Sequence, residues 1–302
     1  MTAAPYQGTG TPGADDAPAR KTTFPQGMTP FDHLYDQPDP RAYFRTLGPL
    51  EYRAPQHAQD IFRRAVRARG ARTAEPTTVL DICCSYGINA ALLNHDVTLD
   101  DLYAHYTSAR ATAMSTAELI AWDREYYAAR RRPDAVRVTG LDVAANAVSY
   151  ACAVGLLEEG FAENLETAAP SPPLLRSVRR TRLVTVTGGT SFLTARTFRP
   201  LLAGARRPLW VAALVLRTSS YAPIAACLAA HGLVTEKLTT RTYPQRRFTD
   251  AGERHYAIQA VTAAGEDPNG RETDGYFHAA LHLSRPPSDV TASPLAGLVP
   301  GP

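Results

Sequence analysis

Lysine is nearly missing from this chain. Lys21 and Lys237 are the only two, so almost all of the 32 basic residues are arginine, set against 29 acidic ones. With abundant alanine and 24 prolines, this looks like the codon bias of a GC-rich genome, an actinobacterial-type composition. A net charge of +3 is too small to argue for a nucleic-acid partner. No apolar run approaches the ~18 residues that a membrane span needs. The first twenty residues have no basic start and no apolar stretch, so they do not read as a signal peptide. Cysteine is scarce too: Cys83, Cys84, Cys152 and Cys227 form no C-x-x-C pair and no zinc-spaced group. They lie in apolar segments, as reduced thiols of a cytoplasmic protein do. No metal is expected; His278 and His282 share a strand face but have no third ligand.

What is present is an ordinary globular balance, 44% apolar and 20% charged over 302 residues. Residues 1–28 read as a disordered tail and 29–75 as helical with breaks, including helices over 41–47 and 56–69. From residue 76 the texture changes to apolar, β-forming runs alternating with helical stretches. Strands are expected at 77–83, 136–143, within 158–163, and at 182–187, 209–216, 233–238 and 277–284. Helices follow at 88–93, 145–157, 194–203 and 221–231. Residues 94–135 form a helical insertion, with a capping box at Ser115 to Glu118. A polar, aromatic stretch separates the last two strands, and 286–302 reads as a second disordered tail. The fold class is α/β: a Rossmann-like, seven-stranded, mainly parallel sheet with helices on both faces and the last strand antiparallel. The domain spans 76–285, and the helices of 29–75 serve as an N-terminal lid.

In such sheets ligands bind at the carboxyl ends of the strands. Three local signals fall there. The first strand runs through Asp81-Ile82-Cys83-Cys84-Ser85-Tyr86-Gly87 into a helix, a tight turn that lets backbone N–H groups approach a ligand. Gly140-Leu141-Asp142 puts a carboxylate at the tip of the second strand, where it accepts hydrogen bonds from ribose hydroxyls or caps the next helix. Thr187-Gly188-Gly189-Thr190 follows the fourth strand. The loop lacks the G-x-G-x-x-G of dinucleotide enzymes.

Together these motifs resemble the class I S-adenosylmethionine-dependent methyltransferases over roughly Thr77 to Ser284. The loop departs from that family's pattern of alternating glycines, keeping only Gly87. The resemblance implies S-adenosylmethionine as cofactor. Asp81, Cys83, Ser85, Tyr86 and Gly87 would lie at its amino-acid end. Asp142 with Val143 would hold its ribose, Glu163 and Asn164 would lie near adenine, and Thr187 with Gly188 would floor the sulfonium. The Cys-Cys-Ser-Tyr-Gly loop and the long insertion are similar to a bacterial subgroup, and loosely to enzymes that cyclise S-adenosylmethionine to azetidine-2-carboxylate.

The expected activity is methyl transfer to a small-molecule metabolite, with no nucleic-acid or membrane partner. The alternatives are that cyclisation, with release of methylthioadenosine, or a non-catalytic binding protein of the same fold. Asn146, Thr187 and Thr190 are the candidate catalytic residues. His33, His57, His95 and His105 are candidate bases, and Tyr35, Tyr43, Tyr52 and Tyr86 are candidates for cation–π contact with a sulfonium. Acceptor and oligomeric state are not legible.

Overall fold

The computed structural model describes residues 27–72 and 76–300. The expected N-terminal tail lies outside the described residues as far as residue 26. The described residues open with three helices, α1 (Asp32–Tyr35), α2 (Arg41–Leu47) and α3 (Ala54–Gly70). Strand β1 (Thr78–Ile82) leads into α4 (Ile88–Asn94), and the insertion supplies α5 (Leu99–Thr107), α6 (Ala109–Ala113) and α7 (Thr116–Ala128). Then follow β2 (Arg137–Asp142), α8 (Ala145–Ala153), β3 (Glu159–Ala162), α9 (Pro172–Val178) and β4 (Leu183–Thr187). The second half holds α10 (Ala195–Gly204), β5 (Trp210–Leu216), α11 (Ala222–Ala230), β6 (Val234–Lys237), β7 (Tyr243–Arg247), α12 (Ala251–Ala263) and β8 (Tyr276–Arg285). Two short helices, α13 (Pro287–Ala292) and α14 (Leu295–Leu298), close the described chain.

The sheet runs β3-β2-β1-β4-β5-β8-β6, mainly parallel as expected, with the last strand, β8, antiparallel to its neighbours. An eighth strand comes from the stretch between the last two expected strands. There β7 pairs with the first half of β8, Tyr243 opposite Ala279, while β6 pairs with its second half, Lys237 opposite His282. The central parallel strands β1, β4 and β5 are buried on both faces. Along β5, Trp210, Ala212 and Leu214 join the core under α3, whereas Val211, Ala213 and Val215 join the core under α10 and α11. That period of two explains why β5 reads as an unbroken apolar run.

Two boundaries need correction. Residues from 286 do not form a disordered tail up to the last described residue, 300. Asp289, Leu298 and Val299 are buried, Asp289 accepts the Trp210 indole N–H at 2.7 Å, and α14 packs on α3. The expected lid of 29–75 also divides. α3 lies against α4, β4 and β5 as part of the helical layer, because Ala58, Ile61, Phe62 and Ala65 give it a continuous apolar face. Only the segment before it, through Arg53, crosses the carboxyl ends of the strands.

The insertion is a closed excursion. Asp96 N donates to Arg130 O at 2.8 Å and Arg132 N to Asn94 O at 2.9 Å, so its two ends meet. It braces the N-terminal segment through Arg41, whose guanidinium donates to the Ala111 and Met114 carbonyls.

Candidate functional site

The chain leaves β1 toward β2 and β3, then returns on the other side to form β4, which makes the β1/β4 boundary a switch point. Strand register sets the tips level: Ile82 pairs with Leu141 and Val186, and Asp142 with Ala162. The Cys83–Gly87 loop, Asp142 and Gly188 therefore share one end of the sheet.

The loop has an unusual backbone. Cys83 (φ 59°) and Ser85 (φ 48°) adopt the left-handed conformation, as does Gly87 (φ 76°) just before α4. Two side-chain-bearing residues thus hold a geometry that costs each roughly 1–2 kcal/mol. Positive φ thus falls at alternate positions, 83, 85 and 87, although only 87 is glycine. The strain is held in place by bonds around the loop. Ser85 N donates to Asp142 Oδ2 at 2.8 Å, and Cys83 N to Leu141 O at 2.8 Å.

Beneath the loop lies a buried polar knot. Asp81 accepts from Asn89 Nδ2 at 3.0 Å and from Thr185 Oγ1 at 2.7 Å, and Thr187 Oγ1 lies 2.7 Å from Asn89 Nδ2. Burial pushes the Asp81 carboxyl up to about 7, against the opposing effect of those hydrogen bonds. Asp81 and Thr187 thus support the loop from below.

Asp142 has the strongest geometry for a ligand. It accepts from Ser85 N and, at 3.0 Å, from Ala144 N, so it closes the turn that leads into α8 and ties the two tips together. Burial raises its carboxyl, while those backbone N–H groups act the other way. Each oxygen keeps a further lone pair, enough to take ribose hydroxyls. Beside it Val143 is 40% exposed, a large apolar surface next to the carboxylate. Ser85 Oγ is buried with no partner among the described residues. An orphaned hydroxyl, spare carboxylate lone pairs and an open apolar face fit the polar and apolar parts of a nucleoside.

Other expected residues have structural partners. Glu163 accepts from Ser171 Oγ at 2.5 Å and Ser171 N at 2.9 Å, at the start of α9. Asn164 Oδ1 accepts from Glu166 N in the turn after β3. Thr190 is buried in the 3-10 turn Thr190–Phe192. Asn146 N donates to Asp36 Oδ1, and its side-chain amide to Asp36 O, both at 2.9 Å. Asn146 therefore clasps the overlying segment. Tyr86 does the same from within the loop: its hydroxyl accepts from Gln37 N at 2.9 Å and lies 3.0 Å from the Leu34 and Gln37 carbonyls.

The four tyrosines singled out in the sequence come together. Tyr43 sits edge-on to Tyr35, Tyr52 and Tyr86, with ring centroids 5.7, 6.2 and 6.2 Å away. Burial raises the Tyr35 and Tyr52 phenols. Of the candidate bases, His95 and His105 belong to the insertion. His105 Nε2 lies 2.7 Å from Asp123 Oδ1, and burial lowers His95 to about 4. His57, on α3, packs against Tyr243 with its Nε2 buried and without a hydrogen-bond partner among the described residues, and His33 is exposed.

Tyr52 roofs the floor motif. A Cβ on Gly188 (φ 75°) would lie 2.6 Å from Tyr52 Oη and 3.4 Å from Gln245 Nε2, and one on Gly189 would run into Cys83 Sγ. Both glycines are required by close approach. Residues 50–53 pair with β7, Arg247 N to Leu50 O and Arg53 N to Gln245 O, both 2.7 Å. Alternate residues of this ribbon face opposite ways. Tyr52 and Gln245 face Gly188. Glu51, Arg53 and Pro244 line an outer cavity of about 360 Å³ with Asp274, Tyr276 and His278. Gln245 escaped the sequence analysis, because Tyr243-Pro244-Gln245-Arg246-Arg247 shows no motif and its proline argues against a strand.

No family model matches this sequence, and no curated protein matches it. Among solved structures, the plantazolicin methyltransferase BpumL in complex with SAH overlaps at 10% identity, 84% of this chain and 93% of that one, with a TM-score of 0.42. The YcgJ protein from Bacillus subtilis overlaps at 10% identity, 74% and 98%, TM-score 0.40. A SAM-dependent methyltransferase from Geobacter sulfurreducens in complex with S-adenosyl-L-homocysteine overlaps at 12% identity, 81% and 98%, TM-score 0.36. These overlaps are shallow, and the reading of the site stands on its own residues. No helix among the described residues is long and apolar enough to cross a membrane.

Proposed function

We propose that this chain binds S-adenosylmethionine at the β1/β4 switch point and transfers its methyl group to a small metabolite. One observation carries the reading: the left-handed Cys83–Gly87 loop is bonded through Ser85 N to the carboxylate at the tip of β2. A glycine-type turn facing a ribose-type acid is what a nucleoside with a charged tail requires. Asp142 and Val143 would hold the ribose and the base edge, and the loop N–H groups and Ser85 Oγ the amino-acid end. The bound molecule supplies a methyl carbon activated by positive sulfur. The protein's part is alignment and exclusion of water. Tyr52 and its neighbours would roof the sulfonium, offering ring faces to its charge.

A second reading, cyclisation of S-adenosylmethionine to azetidine-2-carboxylate, draws on Tyr52 and Gln245 packed directly over Gly188. They fill the space over the fourth strand in which an acceptor would sit. A non-catalytic binding protein would bind without turnover.

Calorimetric titration with S-adenosylmethionine tests the first step. Asp142→Ala should weaken binding by about 1–3 kcal/mol through lost charge-assisted hydrogen bonds. Unchanged affinity in a folded variant overturns the ribose assignment. Mass analysis separates the chemistry. S-adenosylhomocysteine formed only with an acceptor supports methyl transfer. Methylthioadenosine formed without one, above spontaneous decay, supports cyclisation.

A further inference from the structure

Gln245 is 6% exposed, and its side-chain carbonyl Oε1 has no hydrogen-bond partner among the described residues. Its amide nitrogen lies toward Gly188, and its side chain is hydrogen-bonded to the Tyr52 phenol. The backbone is fixed as well, because Gln245 O accepts Arg53 N at 2.7 Å. A rigidly held amide with a buried, unsatisfied acceptor costs stability, so a protein retains one where something else completes it.

The position says which part of a ligand completes it. Asp142 lies on the β2 side of β1, whereas Gln245 lies on the β4 side, over Gly188. The Gly188-Gly189 turn in turn abuts Cys83 of the loop that would take the amino-acid end. A lone carbonyl oxygen repels a carboxylate and takes an N–H. The neighbouring cation, Arg246, does not compete, because Glu253 takes it through two bonds of 2.7 and 2.8 Å.

We infer that Gln245 is a cofactor-contacting residue whose Oε1 accepts an N–H from the amino group of S-adenosylmethionine. The inference rests on the cofactor reading proposed above. It assigns the β6–β7 connection and its strand a part in the site, and it orients the amine toward the Tyr52 roof. Under methyl transfer that contact anchors the tail. Under cyclisation it holds the nucleophile.

The test compares wild type, Gln245→Met and Gln245→Glu by calorimetry and thermal unfolding. The ligands are S-adenosylmethionine and methylthioadenosine, which lacks the amino-acid end. Without ligand, Gln245→Met should unfold near the wild-type temperature, because losing the bond to the Tyr52 phenol offsets removal of the unsatisfied carbonyl. It should bind methylthioadenosine like wild type and S-adenosylmethionine about tenfold or more weakly. Gln245→Glu, still an acceptor, should hold S-adenosylmethionine at least as well as wild type. Should the methionine variant fail to fold, the shorter Gln245→Asn serves for the same comparison. Equal loss of both ligands makes the residue merely structural and overturns the inference. So does wild-type affinity for S-adenosylmethionine in Gln245→Met, or a loss in Gln245→Glu that matches the methionine variant. If wild type binds neither ligand, the cofactor reading itself fails and takes the inference with it.

Discussion

Asp81 concentrates the electrostatics of the loop into one side chain. It is 1% exposed, held by Asn89 and Thr185, and its carboxyl is raised by burial to about 7. An unfolded chain releases this proton near the ordinary carboxylate value of about 4. Between those two values the folded protein carries a proton that the unfolded one has lost. The contribution of Asp81 is therefore fully present below about pH 4 and is lost as pH rises through about 7. The loss amounts to a few kcal/mol at most. Asp81→Asn should flatten the pH dependence of the unfolding free energy across that window, measured by denaturant titration at several pH values. An unchanged slope would show that Asp81 is not the group responsible. The strain at Cys83 and Ser85 belongs to the same scale. Nothing in those residue types announces a left-handed turn.

Among the elements, the insertion shows how a buried carboxyl group joins helices. Asp123 on α7 is fully buried and accepts from Tyr106 of α5 at 2.5 Å and Tyr150 of α8 at 2.6 Å, with His105 at 2.7 Å. Tyr127 joins through Tyr106 at 2.9 Å. Asp123→Leu would strand two hydroxyls and an imidazole in the core, and breaking such a buried network costs about 3–5 kcal/mol. Equilibrium unfolding should show that loss. A change under about 1 kcal/mol would mean that water completes the network and that the helices hold by apolar packing alone. The elements themselves were largely legible. The Ser115–Glu118 capping box starts α7, and the expected helix over 41–47 matches α2. Period and capping are local, so a sequence displays them. β7 was not legible, because its pairing depends on β8, about thirty residues later, and its proline, Pro244, speaks against a strand. Gln245 was hidden for the same reason. α13 and α14 were masked by prolines that read as disorder but begin short helices, buried through Asp289 and Leu298.

At the scale of the whole molecule, the order of the sheet and the path of the N-terminal segment decide what can reach the strand tips. That segment is bound to the domain at several places besides the Arg41 brace on the insertion. Tyr86 holds Leu34 and Gln37, Asn146 holds Asp36, and the ribbon with β7 holds Leu50 and Arg53. The first two holding residues stand at the ends of the two strands that carry the proposed cofactor contacts, so cover and site are mechanically linked. The Tyr86 hydroxyl is the central pin. Tyr86→Phe keeps the packing against Tyr43 and Tyr150 but removes every bond the hydroxyl makes. Local opening should then become easier than global unfolding. Amide exchange over 34–37 should quicken by about tenfold, the equivalent of roughly 1.4 kcal/mol of lost hydrogen bonding. Amides in β1, β4 and β5 should follow only the small change in global stability. Uniform acceleration across the sheet would mean that Tyr86 stabilises the core and not the cover. No change anywhere would mean that Asn146 and the β7 ribbon hold the segment without it.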